Sequence, residues 1–285
     1  MDIVHGADLQ WSEGEERHRE GKLAFKNIFK GTPGTPENYR LVLTRNDGRY
    51  QSPRHHHNFD QVRFCLEGKL NIAPGVDIEA GDAGYFPEGA HYGPQDDGDT
   101  KRLSLTLQCG GASGSGYMSS EQLKQGHSEL SQRGKFEGGA FHFADSRRKQ
   151  DSYEAIWEHV FQRKMVYPAP RYPGPILFKT ANFAWWPVAR GAQRKLLGTF
   201  TERGTQLEIV RIEPNGSLAL GAPNAEILVF VLRGTGSCGQ EILKQYSAVR
   251  IQPGETATIN GTEPMEAFVI TLPLLSHLKQ ASAAA

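Results

Sequence analysis

The chain is poor in cysteine. Its three residues, Cys65, Cys109 and Cys238, are widely spaced, and no CxxC pair occurs in the 285 positions. That excludes a zinc knuckle and a disulfide framework, and reduced thiols in a cytoplasmic protein are the plain expectation. An excess of either charge is also missing, because 32 acidic residues balance 32 basic ones. A nucleic-acid groove needs a basic surplus, and so does a surface that holds anionic lipid. Neither partner is expected. No apolar run approaches the roughly 20 residues of a membrane span. The start, from Met1 to Glu16, is polar and acidic and does not read as a signal peptide.

Glycine and proline are present in number, at 32 and 16 residues. Such turn-rich composition favours an all-β sandwich or barrel over a helical bundle. The length suits two domains of ordinary size. Short alternating runs at Arg40–Arg45, Gln61–Leu66, Ala83–Phe86 and Leu103–Gln108 read as strands, with turn signals at Asn46-Asp47-Gly48 and Pro74-Gly75. A second strand-rich stretch holds Leu207–Ile212, Ile227–Leu232, Ala248–Ile251 and Ala267–Leu272. Between them the pattern turns helical. Ser119 or Ser120 can cap a helix to about Gln132, and Asp151 with Glu154 has capping-box spacing for another. The segment Tyr167–Pro175, with four prolines, reads as an extended connection. The Gly110–Gly116 run lacks the ending of a phosphate loop and reads as a lid or linker. The expected division is an N-terminal arm (1–38), a first barrel (39–110), a helical and proline-rich linker (111–197), a second barrel (198–275) and a tail (276–285).

One stretch carries chemistry. His55-His56-His57 is followed by Gln61, then Arg63, then Gly68. Further on come Gly81, Pro87-Glu88-Gly89, His91 and Tyr92. On a strand, residues two apart share a face, so His55, His57, Gln61 and Arg63 would point one way, and Val62, Phe64 and Leu66 the other. Polar groups buried without partners would cost several kcal/mol, so a metal or polar ligand is one reason to place them there.

The spacing His-x-His, Gln, Gly, then Gly, Pro-x-Gly, His resembles the cupin family over roughly residues 39–108. That resemblance implies a duplicated double-stranded β-helix (the cupin jelly roll) and a divalent metal. His55, His57, Gln61 and His91 would be its ligands. Fe(II) stands first, with Ni, Cu, Zn or Mn open, or no metal at all. Two positions depart from the family pattern. Gln61 stands where the family has Glu. The third His is expected at Tyr92, while His91 precedes it, and a one-residue offset flips a strand side chain to the other face. Either His91 ligates through a bulge or Tyr92 lines the site. Arg63 is a candidate clamp for an anionic substrate group, or the partner of Asp60 or Glu67 in an ion pair. Arg63 and Tyr92 are the candidate catalytic residues.

Gly234 and Gly254 nearly repeat the spacing of Gly68 and Gly89. Counting back from Gly234 places the ligand positions at Gly221, Pro223 and Ile227, none of which binds metal. The second barrel is expected to be structural. The resemblance implies a non-haem Fe(II) dioxygenase acting on a small aromatic or enolic molecule, as monomer or homodimer. A non-redox isomerase, lyase or decarboxylase, with Tyr92 or His57 as acid or base, is the alternative. A non-catalytic ligand-binding cupin is the third.

Overall fold

A computed structural model describes residues 1–14 and 23–276. The expected tail lies outside the described residues after Ser276. Strands dominate, and no helix among the described residues is long and apolar enough to cross a membrane.

Two seven-stranded antiparallel sheets organise the chain, and their strand orders match. The first runs Ile176–Phe178, Ala83–Phe86, Asp60–Glu67, Arg102–Cys109, Tyr39–Asn46, Leu23–Lys30, Ser12–Gly14. The second runs Asp2–His5, Ser247–Ile251, Ala225–Arg233, Met265–Pro273, Thr205–Ile212, Ala192–Phe200, Trp186–Ala189. Each sheet receives one edge strand from beyond its own half. Asp2–His5, from the expected arm, pairs with Ser247–Ile251, and Ile176–Phe178, from the expected linker, pairs with Ala83–Phe86. Ser247–Ile251 and Ala83–Phe86 thereby lie inside their sheets, paired on both sides.

The alternation seen in the sequence sorts the faces. Leu41, Leu43, Val62, Phe64, Leu105 and Leu107 of the first sheet meet Leu207, Ile209, Phe230, Phe268 and Ile270 of the second in one core. Phe64 and Phe268 lie 5.0 Å apart, and Tyr85 stacks on Phe200 at 4.5 Å. Such ring pairs add about 0.5–1.5 kcal/mol beyond their burial. The other face of each sheet closes against smaller ribbons, so each half is a jelly roll of open sheets, not one continuous closed barrel.

The repeated glycines have one physical cause. Gly68 and Gly234 end equivalent strands with φ of +72° and +80°. A Cβ would sit 2.2 Å from the Lys101 carbonyl oxygen in one and 1.9 Å from the Pro264 oxygen in the other. Only glycine fits either place.

The region after the first half holds more than helices. Helix Ser120–Leu130 starts with a capping box between Ser119 and Gln122, and helix Ser152–Phe161 starts at Asp151, whose side chain accepts from two backbone N–H groups. A three-stranded sheet, Gly134–Glu137, Ala140–Phe143 and Lys149–Asp151, lies between them. Phe141, Ile156 and Trp157 form its core with Leu130 and Met118. The expected helical and proline-rich linker thus also contains strands. Gly138 and Gly139, both with positive φ, build a turn between strands too short to show a clear period.

Candidate active site in the first half

Residues 55–59 do not form the strand expected of them; the strand begins at Asp60. His55 instead makes an isolated bridge with Tyr92, each accepting the other's N–H at 3.0 Å. Gly89, from the Pro-x-Gly turn, donates its N–H to the His57 carbonyl at 2.8 Å. These contacts hold the histidine loop against the second motif. The His55 and His57 rings meet edge to face at 5.0 Å. His55 Nδ1 lies 2.7 Å from the Pro53 carbonyl, which sets the tautomer with its lone pair on Nε2.

Tyr92 is the hub. Its hydroxyl lies 3.0 Å from His57 Nε2 and accepts from Arg63 Nη2 at 2.8 Å. Its ring is 4.4 Å from His55. His91 is not part of this group. It is exposed and stacks on His56 at 4.1 Å, and His56 stacks in turn on Tyr167 at 4.0 Å. Partial desolvation, with His56 and Arg54 nearby, holds the His91 imidazole below its ordinary pKa. The bridge through His55 leaves no bulge, so neighbours in sequence point to opposite sides. Of the two alternatives at this turn, Tyr92 lies with His55, His57 and Arg63, and the expected ligand His91 lies apart from them.

Arg63 and Gln61 lie on the face opposite Val62 and Phe64, inside the first half. Gln61 is 1% exposed and Arg63 9%. Arg63 Nε and Nη2 both donate to Gln61 Oε1, at 3.0 and 2.8 Å. The guanidinium lies over Phe86 at 4.6 Å and Tyr92 at 5.2 Å. Neither Asp60 nor Glu67 is its partner: Asp60 is bound by Tyr85, and Glu67 accepts from Tyr246. Among the described residues no carboxylate pairs with Arg63. In register, Thr106 stands beside Arg63 and Gln108 beside Gln61. Their neighbours Leu105 and Leu107 face the other half, so Thr106 and Gln108 line the same interior.

A divalent metal does not fit this arrangement. Among the described residues no three His, Cys, Asp or Glu side chains gather as ligands. The oxygen of Gln61 already accepts two hydrogen bonds, which uses both its lone pairs. The fixed positive charge of Arg63 would repel a second cation.

Several residues packed around the histidine loop escaped sequence reasoning. Phe59 packs on His57 at 4.5 Å and on Tyr117 at 5.1 Å. Tyr117 donates to Gln108 at 3.1 Å, and Tyr153 donates to Asn58 Oδ1 at 3.4 Å. Burial of its hydroxyl end pushes the Tyr153 pKa well above the ordinary value. Asn58 is fully buried, and its Nδ2 has no hydrogen-bond partner among the described residues. Asn58 could have been noticed between His57 and Phe59. Tyr153 could not, because it lies in helix Ser152–Phe161, 95 residues from Asn58 along the chain.

Behind the site lies a buried acid pair. Asp60 accepts from Tyr85 at 2.6 Å and from the Glu88 N–H at 2.8 Å. Burial pushes its pKa up to about 7, with the Glu88 charge adding to the rise. Glu88, the middle residue of Pro-x-Gly, accepts from Ser113 N–H at 2.7 Å and Oγ at 2.6 Å, and from Arg171 at 2.9 Å. Ser113 thereby ties the glycine-rich segment down. Arg171 also pairs with Glu202 of the second half.

The second half has other residues at the equivalent positions. Gly221 pairs with Thr256 where His55 bridges Tyr92. Ile227 and Val229 stand where Gln61 and Arg63 do, packed among Val210, Val231, Ile251 and Ile259.

Comparison with known proteins is informative only through structure. No family model and no curated protein matches the sequence. A Nostoc punctiforme protein described as a "putative dioxygenase" superposes with a TM-score of 0.62 at 11% identity, over 95% of this chain and 81% of the other. The Escherichia coli pirin YhhW, in complex with nickel(II), gives 0.52 at 8%, over 95% and 98%. A point mutant of Bacillus subtilis oxalate decarboxylase gives 0.54 at 13%, over 95% and 76%.

Proposed function

From the premise that this chain has the duplicated cupin fold, we propose that it is an enzyme of proton transfer on a small anionic molecule, working in its first half. The isomerases, lyases and decarboxylases are the class. The observation that carries this reading is the chain of contacts from His57 Nε2 to the Tyr92 hydroxyl to Arg63 Nη2, at 3.0 and 2.8 Å. A base, a proton carrier and a fixed cation stand in line, which is what abstraction of a proton next to a carbonyl needs.

The roles follow from the chemistry of each group. Arg63 holds a carboxylate or enolate oxygen and stabilises the negative charge that develops on it. Tyr92 shares its proton with His57. The pair takes a proton from one carbon and returns it to the next in an isomerisation. In a decarboxylation, carbon dioxide leaves and the pair supplies a proton to the carbon left behind. The isomerisation returns the pair to its starting state, and after a decarboxylation the pair regains its proton from water. The buried Asn58 Nδ2 is a further donor close to His57 in sequence, and Phe59 and Tyr117 supply an apolar wall that excludes water.

The test uses small 2-oxo acids, which carry a carboxylate on a ketone whose other neighbour bears an acidic C–H. Pyruvate, phenylpyruvate and oxaloacetate are incubated with the protein in deuterium oxide and followed by proton NMR. Solvent exchange, or loss of carbon dioxide from oxaloacetate, should exceed the buffer rate. Tyr92→Phe and His57→Ala should each lower it by at least about a hundredfold. Variants as fast as the wild type would sink the reading.

One observation favours a second reading, an iron(II) oxygenase acting on an aromatic or enolic molecule. The hydrogen bond from His55 Nδ1 to Pro53 leaves Nε2 in the form that ligates metals. Proteins named as a dioxygenase and a nickel-bound pirin share the fold. This reading needs a metal on His55 and His57, with Gln61 released from Arg63.

A further inference from the structure

We infer that Arg63 is a resident cation, standing where the resemblance would place a divalent metal, and that the first half works without one. The inference rests on the first half being the working half. It does not depend on which proton-transfer reaction occurs there.

Two expected ligand positions converge on one atom of Arg63. Nη2 lies 2.8 Å from Gln61 Oε1 and 2.8 Å from the Tyr92 hydroxyl. Gln61 comes from the strand of the first motif and Tyr92 from the segment after the second. A metal in this fold would draw the same two positions to one centre, and here a guanidinium does so. The guanidinium lies over the rings of Phe86 and Tyr92, which is a favourable place for a desolvated cation.

The two departures from the family pattern then have one cause. An acid at position 61 would neutralise Arg63 in an ion pair. The amide orients the guanidinium and leaves its charge intact for an anionic ligand. An imidazole at position 92 would add a metal ligand. The phenol instead accepts from Arg63 and lies within hydrogen-bond distance of His57. The second half shows that the fold itself does not require a cation here, because Val229 takes the equivalent place in an aliphatic core.

The test reads metal affinity directly, with Co(II) as the probe, by calorimetry and visible absorption. Wild-type protein should bind Co(II) no more tightly than the His55→Ala/His57→Ala double variant. Arg63→Met should bind it at least about tenfold more tightly than wild type. The triple variant Gln61→Glu/Arg63→Met/Tyr92→His should gain at least about a hundredfold. Circular dichroism checks that each variant folds. A gain in either folded variant supports the inference. It is overturned if wild type binds one equivalent that the double variant loses, or if neither folded variant gains. The comparison of wild type with the double variant decides the matter alone should neither fold. Failure here leaves the isotope-exchange result for Tyr92→Phe standing, so the two readings fail separately.

Discussion

Asp60→Asn should flatten one part of the pH dependence of folding. Asp60 is completely buried, and burial lifts its pKa from 3.8 to about 7. The negative charge of Glu88 adds to the rise, while the hydrogen bond from Tyr85 opposes it. The folded state therefore keeps the proton over a range where the unfolded chain has released it. A folded pKa raised for an acid means that stability is greatest at low pH and declines as pH rises from about 4 to about 7. Each unit is worth about 1.4 kcal/mol, so the decline is on the order of 4 kcal/mol. Other carboxylates, among them Asp77 and Glu266, are held below their ordinary values and push the opposite way. The informative quantity is thus the difference between wild type and Asp60→Asn, from urea denaturation at steps across this window. That difference should shift by about 4 kcal/mol against the wild type as pH rises. A difference that stays flat or moves the other way refutes the reasoning about this buried pair.

Three further outcomes are expected. Gly234→Ala should destabilise the fold by at least about 3 kcal/mol, because a positive φ and a blocked Cβ position coincide there, and thermal melts will show it. Val229→Arg should cost at least about 3 kcal/mol in urea denaturation, since the aliphatic core of the second half offers a guanidinium no partner. His91→Ala should leave the isotope-exchange rate within about twofold of wild type, because His91 is exposed and stacks on His56 outside the site.

The fold was largely legible in the sequence, and for a physical reason. Strands such as Asp60–Glu67 and Arg102–Cys109 have one face that must bury against the other half, so leucine, valine and phenylalanine recur at every second position. The helix starts at Ser119 and Asp151 were legible through their caps. The exchanged edge strands were not. Asp2 pairs with Arg250, and a contact so distant along the chain leaves no local period. At the site, His55, His57, Gln61 and Arg63 come together with Tyr92, but through a bend and a bridge and not through one continuous strand. The choice between His91 and Tyr92 depended on whether the chain bulges there, which only backbone pairing reveals. Glu88 sat in the motif without a role, because its partners Ser113 and Arg171 are distant in sequence.

The central claim is proton transfer in the first half without a metal. It is tested most directly by measuring isotope exchange into a 2-oxo acid before and after exhaustive dialysis against a chelator, with the metal content of both samples determined. The account predicts an unchanged rate in protein that carries far less than one metal per chain. A rate that is lost on chelation and restored by Fe(II) would contradict it.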